Sequence, residues 1–181
     1  MINPLYEFDF KLVPVDYNED TEIVKGIIVD SKINQDGVFK VNTIGDYVAL
    51  EVVNRSDKDL YFTIVEINSK GEIAQFLPND NYNLVADDLK IPAGKTRLFK
   101  DYVFGFGPPY ERLTLKGFAT TTPINLKPII TSKGAVTRGG MNPLEKFVQQ
   151  SYVQTRGVKT NQERSKIRGY TTEFVYEIIK N

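Results

Sequence analysis

The sequence predicts an all-β, mainly antiparallel β-sandwich, immunoglobulin-like or related, on three observations. Apolar and polar side chains alternate with period two through many short segments, the pattern of strands with two unlike faces. Roughly eight or nine such segments recur at about ten-residue spacing, separated by clusters of Gly, Pro, Asn and Asp. A helical stripe occurs in one place, where Leu144, Phe147, Val148 and Tyr152 follow Asn142-Pro143, an N-cap and first-turn pair. One short helix is therefore expected near residues 143–153.

The first strand is the clearest. Tyr6, Phe8, Phe10 and Leu12 alternate with Glu7, Asp9 and Lys11, which places the acids on a solvent face, and Pro14 suits a strand end or edge because it has no N–H to donate. Glu22–Val29 is a second strand, and Asn34-Gln35-Asp36-Gly37 turns into Val38–Val41. Tyr47–Val53, the polar turn 54–59, Leu60–Ile67 and Glu72–Leu77 are expected as a three-strand antiparallel meander. Gly71 supplies the positive φ of its second turn. Leu60–Val65 is apolar on both faces and so reads as a central strand. Arg97–Phe104, Glu111–Thr120 and Thr171–Ile179 complete the set, and Phe8, Phe10, Leu50 and Phe62 are expected to line one core. A strand near each end of the chain favours one domain over residues 1–181, here expected to be part of a longer protein.

Composition removes whole classes of chemistry. The 181 residues include no Cys and no His, so there is no disulfide, no thiol nucleophile, no His-bound zinc and no Ser-His-Asp constellation. No cofactor is expected. Acids and bases each number 23, giving no global pull toward nucleic acid or anionic lipid. The halves nonetheless differ in sign: residues 1–90 carry 17 acids and 8 bases, residues 91–181 carry 6 acids and 15 bases. The first residues lack the features of a signal peptide, and no apolar run reaches the length of a membrane span. The expectation is a soluble protein of open compartment, with the envelope or periplasm admitted if a signal has been removed.

The central block carries a resemblance. Gly45-Asp46-Tyr47-Val48-Ala49-Leu50-Glu51-Val52, Asp59–Ile67, Lys70-Gly71-Glu72-Ile73 and Gln75-Phe76-Leu77-Pro78-Asn79 are followed by Ile91-Pro92-Ala93-Gly94 and Gly107–Leu113. In order and spacing this is similar to a bacterial domain-of-unknown-function family often found C-terminal to caspase-like, metacaspase-type peptidase domains. The resemblance covers about residues 38–120 and implies an appended accessory module, with no catalytic residues to carry over.

Three segments bear on binding. The oxygen-rich run 78–83 around Tyr82 lacks the closing bidentate Glu of a calcium loop and reads as an Asx-turn corner. Phe106 and Tyr110, in the Gly- and Pro-rich loop 104–110, either stack on a ligand or tuck over an open end of the sandwich. The basic stretch with Arg156, Arg164 and Arg168 faces solvent or an acidic protein partner; aromatics flank it without interleaving, which disfavours nucleic acid. Carboxylate pairs such as Glu51 and Glu66 exist in any chain this acidic, so no enzyme activity is expected. The expected role is a non-catalytic accessory domain that docks on or regulates an attached caspase-like peptidase or other effector. The alternative is an envelope-associated module that captures a glycan or a peptide.

Overall fold

The computed structural model describes residues 6–29, 37–78, 84–123 and 169–180. Among the described residues ten strands run in chain order: β1 (Phe8–Asn18), β2 (Ile23–Ile27), β3 (Phe39–Asn42), β4 (Val48–Asn54), β5 (Leu60–Ile67), β6 (Ile73–Leu77), β7 (Lys90–Ile91), β8 (Thr96–Phe104), β9 (Arg112–Thr120) and β10 (Gly169–Ile179). A 3-10 turn, Ala86–Leu89, precedes β7. One sheet has the order β2-β1-β4-β8; the other has β3-β10-β9-β5-β6, with β7 paired to β5. Every pairing is antiparallel except that of β10 with β3. The protein is a nearly all-β sandwich. The helix expected near residues 143–153 lies outside the described residues.

The inward faces of the sheets form one core. Phe8, Phe10 and Leu12 of β1, Leu50 and Val52 of β4 and Phe99 of β8 are buried in one cluster with Phe62 and Ile64 of β5, Leu115 of β9 and Tyr176 of β10. Aromatic contacts bridge the layers, with ring centroids 6.1 Å apart for Phe8 and Phe62 and 5.5 Å for Phe62 and Phe99. Gly117 of β9 exists for this contact: a Cβ there would stand 2.5 Å from the Phe10 ring, closer than atoms can approach. Gly71, at φ 80°, makes the β5–β6 turn as expected.

Three local expectations are corrected. The meander breaks after β4, because β5 crosses to the other sheet and pairs with β9, β6 and β7, leaving only the β5–β6 hairpin. The reason is the turn itself. Buried Asn54 donates through Nδ2 to the Lys58 and Ile91 carbonyls at 2.7 and 2.9 Å. Its Oδ1 accepts from the N–H and hydroxyl of Ser56. A polar turn satisfied this way arches between layers instead of closing a hairpin.

Asp9, expected in water, is 4% exposed. Its Oδ1 accepts from the Phe10 N–H at 2.8 Å and the Thr172 hydroxyl at 2.9 Å, which ties β1 to β10 across the sheets. Val13, Val15 and Ala49 are buried as well, so β1 and β4 are covered on both faces.

Pro14 sits inside β1, opposite Val48 of β4. Its carbonyl accepts from the Ile28 N–H at 2.9 Å, so its ring nitrogen also points to the β2 side, where β2 stops pairing. The β1–β4 ladder therefore loses nothing to the missing N–H.

Candidate functional site

Two end regions and one sheet edge concentrate the side chains able to meet another molecule. The first region closes one end of the sandwich. β5 points Glu66 inward at the finish of its apolar run, and the Tyr176 hydroxyl of β10 donates to Glu66 Oε2 at 2.6 Å. Burial pushes the Glu66 carboxyl above its ordinary value; the Tyr176 hydrogen bond opposes that rise and the negative charge of Glu111 adds to it. Tyr176 is driven far upward, first by burial and then by Glu66.

Phe106 lies over the Tyr176 ring at a centroid distance of 5.1 Å, and Phe104 stacks on Phe76 at 4.5 Å. The aromatics of loop 104–110 thus seal the core, while Tyr110 remains 49% exposed. Glu111 Oε2 accepts from the N–H and hydroxyl of Ser69, which fixes the 68–72 turn beside the loop. Glu51 is not part of this group: it pairs with Lys11 at 3.7 Å on the other sheet.

The second region is a cleft of about 230 Å³ at the other end of β5, lined by Tyr61 and Thr63 of β5, Phe118 and Thr120 of β9, the 3-10 turn, and Pro78, Leu84 and Pro123. Pro78 and Leu84 flank the segment that contains Tyr82, which itself lies outside the described residues. Lys90 Nζ stands 5.6 Å from the Tyr61 ring centroid and 3.4 Å from Asp59 Oδ2, so the rim carries a cation over an aromatic face. The Thr63 hydroxyl is buried without a hydrogen-bond partner among the described residues.

The edge is β2, at the end of the four-stranded sheet. Ile23 is 58% exposed, Ile27 49% and Val29 94%, and Ile28 is exposed with them. Sequence reasoning passed over these residues. Their β-branched alternation was visible, but nothing in it distinguishes an edge strand from a covered one.

Of the residues expected to bind, Phe106 and Tyr110 share the sandwich end near Glu66. Arg156, Arg164 and Arg168 lie outside the described residues. Among the described residues no group of His, Cys, Asp and Glu is arranged to hold a metal ion. No helix among them is long and apolar enough to cross a membrane.

Residues 41–123 match the model of a family described as a domain of unknown function (DUF4384). The match runs from within β3 to just beyond β9 and occupies the stretch where the resemblance was seen. Strands β1, β2 and β10 lie outside it, although β1 supplies Phe8 and Phe10, and β10 supplies Phe174 and Tyr176, to the aromatic contacts of the core. No curated protein and no solved structure matches the chain.

Proposed function

We propose that this chain is a non-catalytic accessory domain that docks on another protein, and that the surface it uses is the outer edge of β2. The observation that carries this reading is the exposure of Ile23 and Ile27 on a strand unpaired on one side among the described residues, continued by exposed Ile28 and Val29 just beyond its end. Apolar residues scattered singly over a surface are ordinary, whereas apolar residues gathered on one free edge mark a surface that is covered in use. The resemblance over residues 38–120 makes an attached caspase-like peptidase or another effector domain the partner to try first.

The test is direct binding, by calorimetry, between this chain and a caspase-like or other effector domain taken from the gene that encodes it. Binding is expected, and the double substitution Ile23→Lys, Ile27→Lys is expected to weaken it at least tenfold without lowering the melting temperature. Unchanged affinity would move docking away from this edge, and no binding at all would overturn the accessory role.

A second reading, capture of a glycan or a peptide side chain, is favoured by the cleft over the paired strands β5 and β9. Its volume of about 230 Å³ suits a single sugar ring or side chain, and Tyr61, Phe118, Pro78 and Pro123 give it the aromatic and apolar walls such ligands stack on.

A further inference from the structure

The β2 edge holds more information than its apolar content. The Ile28 N–H is given to the Pro14 carbonyl, and Val15, opposite Ile27, gives its own N–H to Tyr47 on the far side of β1. By strand alternation the N–H and C=O of Ile27 therefore point away from β1, to the side on which β2 has no partner strand among the described residues. The exposed positions of β2 are Ile23, Lys25 and Ile27, alternating with the half-buried Val24 and Gly26. Lys25 makes no ion pair among the described residues. It is also the residue left without a β1 partner at the register shift, where Asp16 faces Gly26 and Tyr17 faces Val24.

A bulge and a lysine are devices that blunt a sheet edge against indiscriminate pairing. Here they stand between two exposed isoleucines, so the edge is selective without being closed. A second copy pairing antiparallel about Lys25 would set lysine beside lysine, which is unfavourable. A strand with a carboxylate at that place, flanked two residues away on each side by apolar side chains, would answer all three exposed positions together.

We infer that the β2 edge takes an extended acidic-centred peptide strand from a partner protein, its backbone completing the ladder at Ile27 and its carboxylate meeting Lys25 between Ile23 and Ile27. This assignment rests on the docking reading above and adds the partner's chemistry to it.

The experiment uses the full chain, labelled with ¹⁵N, and two blocked peptides that alternate valine and threonine around a central glutamate or a central lysine. The glutamate peptide is expected to shift the amide signals of residues 23–29 and to bind about fivefold tighter than the lysine peptide, the size of one cross-strand charge pair. Lys25→Glu is expected to invert that preference. Ile27→Pro, which removes an outward N–H, is expected to abolish binding by both. Equal binding of the two peptides at this edge would overturn the acidic partner while leaving edge docking in place. Absence of shifts at residues 23–29 would overturn both, and a dimer that forms with concentration and is lost in Ile27→Pro would assign the edge to a second copy.

Discussion

β4 and β2 belong to one sheet and draw on the same β-branched and aliphatic residues, yet they have opposite fates. β4 lies between β1 and β8 and is buried along almost its whole length, with Val48, Leu50 and Val52 in the core and Ala49 and Val53 covered on the other face. Among the described residues β2 has β1 on one side only, and its isoleucines are exposed. The difference teaches that the energetic meaning of a valine or isoleucine here is set by its place in the strand order. In β4 such a residue is a structural contact; in β2 it is exposed to solvent.

Truncation separates the two strands most sharply. Leu50→Ala is expected to cost about 2–5 kcal/mol through lost burial and a residual cavity, measured by urea denaturation. Ile27→Ala, on the exposed strand, is expected to stay within about 0.5 kcal/mol of the parent. Comparable losses at both sites would mean that β2 is covered in the protein's resting state and would break the comparison.

Overpacking probes the opposite sheet against the same β1 aromatics. Gly117→Ala puts a methyl where the Phe10 ring stands and is expected to destabilise by about 1–3 kcal/mol, seen as a lower thermal midpoint. A neutral result would show that Phe8 and Phe10 can shift, and that the layers are looser than their ring contacts imply.

The smallest expected effect concerns the closed end of the sandwich. Glu66 binds its proton more tightly in the folded than in the unfolded chain, so its favourable contribution is complete below the ordinary carboxyl value near 4.5 and is lost as pH rises through the raised folded value. Glu66→Gln does not titrate and keeps an oxygen to accept from Tyr176. The variant is expected to be more stable than the parent at about pH 7, with the gap closing toward about pH 4. A gap that widens on acidification would mean that the hydrogen bond from Tyr176 outweighs burial and holds Glu66 charged.

The candidate site was legible only in part. Phe106 and Tyr110 were singled out from a Gly- and Pro-rich loop, and the structure does place them at one sandwich end, with Phe106 sealing the core over Tyr176 and Tyr110 exposed. Glu66 was visible only as one acid among 23, because nothing local to it announces Tyr176, 110 residues further along. The β2 edge was invisible as a site. Strand-forming residues are alike whether a neighbour strand covers them or not, and which strands end a sheet is a property of the whole chain.

By itself, the sequence determined the strand content and most of the inward faces, because period-two alternation is a local consequence of the pleat and needs no knowledge of neighbours. It also determined what chemistry is impossible, since no fold can supply an imidazole or a thiol from a chain with neither. The tertiary structure alone decided the partners: that β5 leaves β4 for β9, that β10 lies parallel to β3, that Asp9 is buried on Thr172, and that β2 stands at an edge. Those outcomes depend on contacts between residues far apart in sequence. Hydrogen-bonding ladders are interchangeable from one strand to the next, so only the joint packing of the core selects among them.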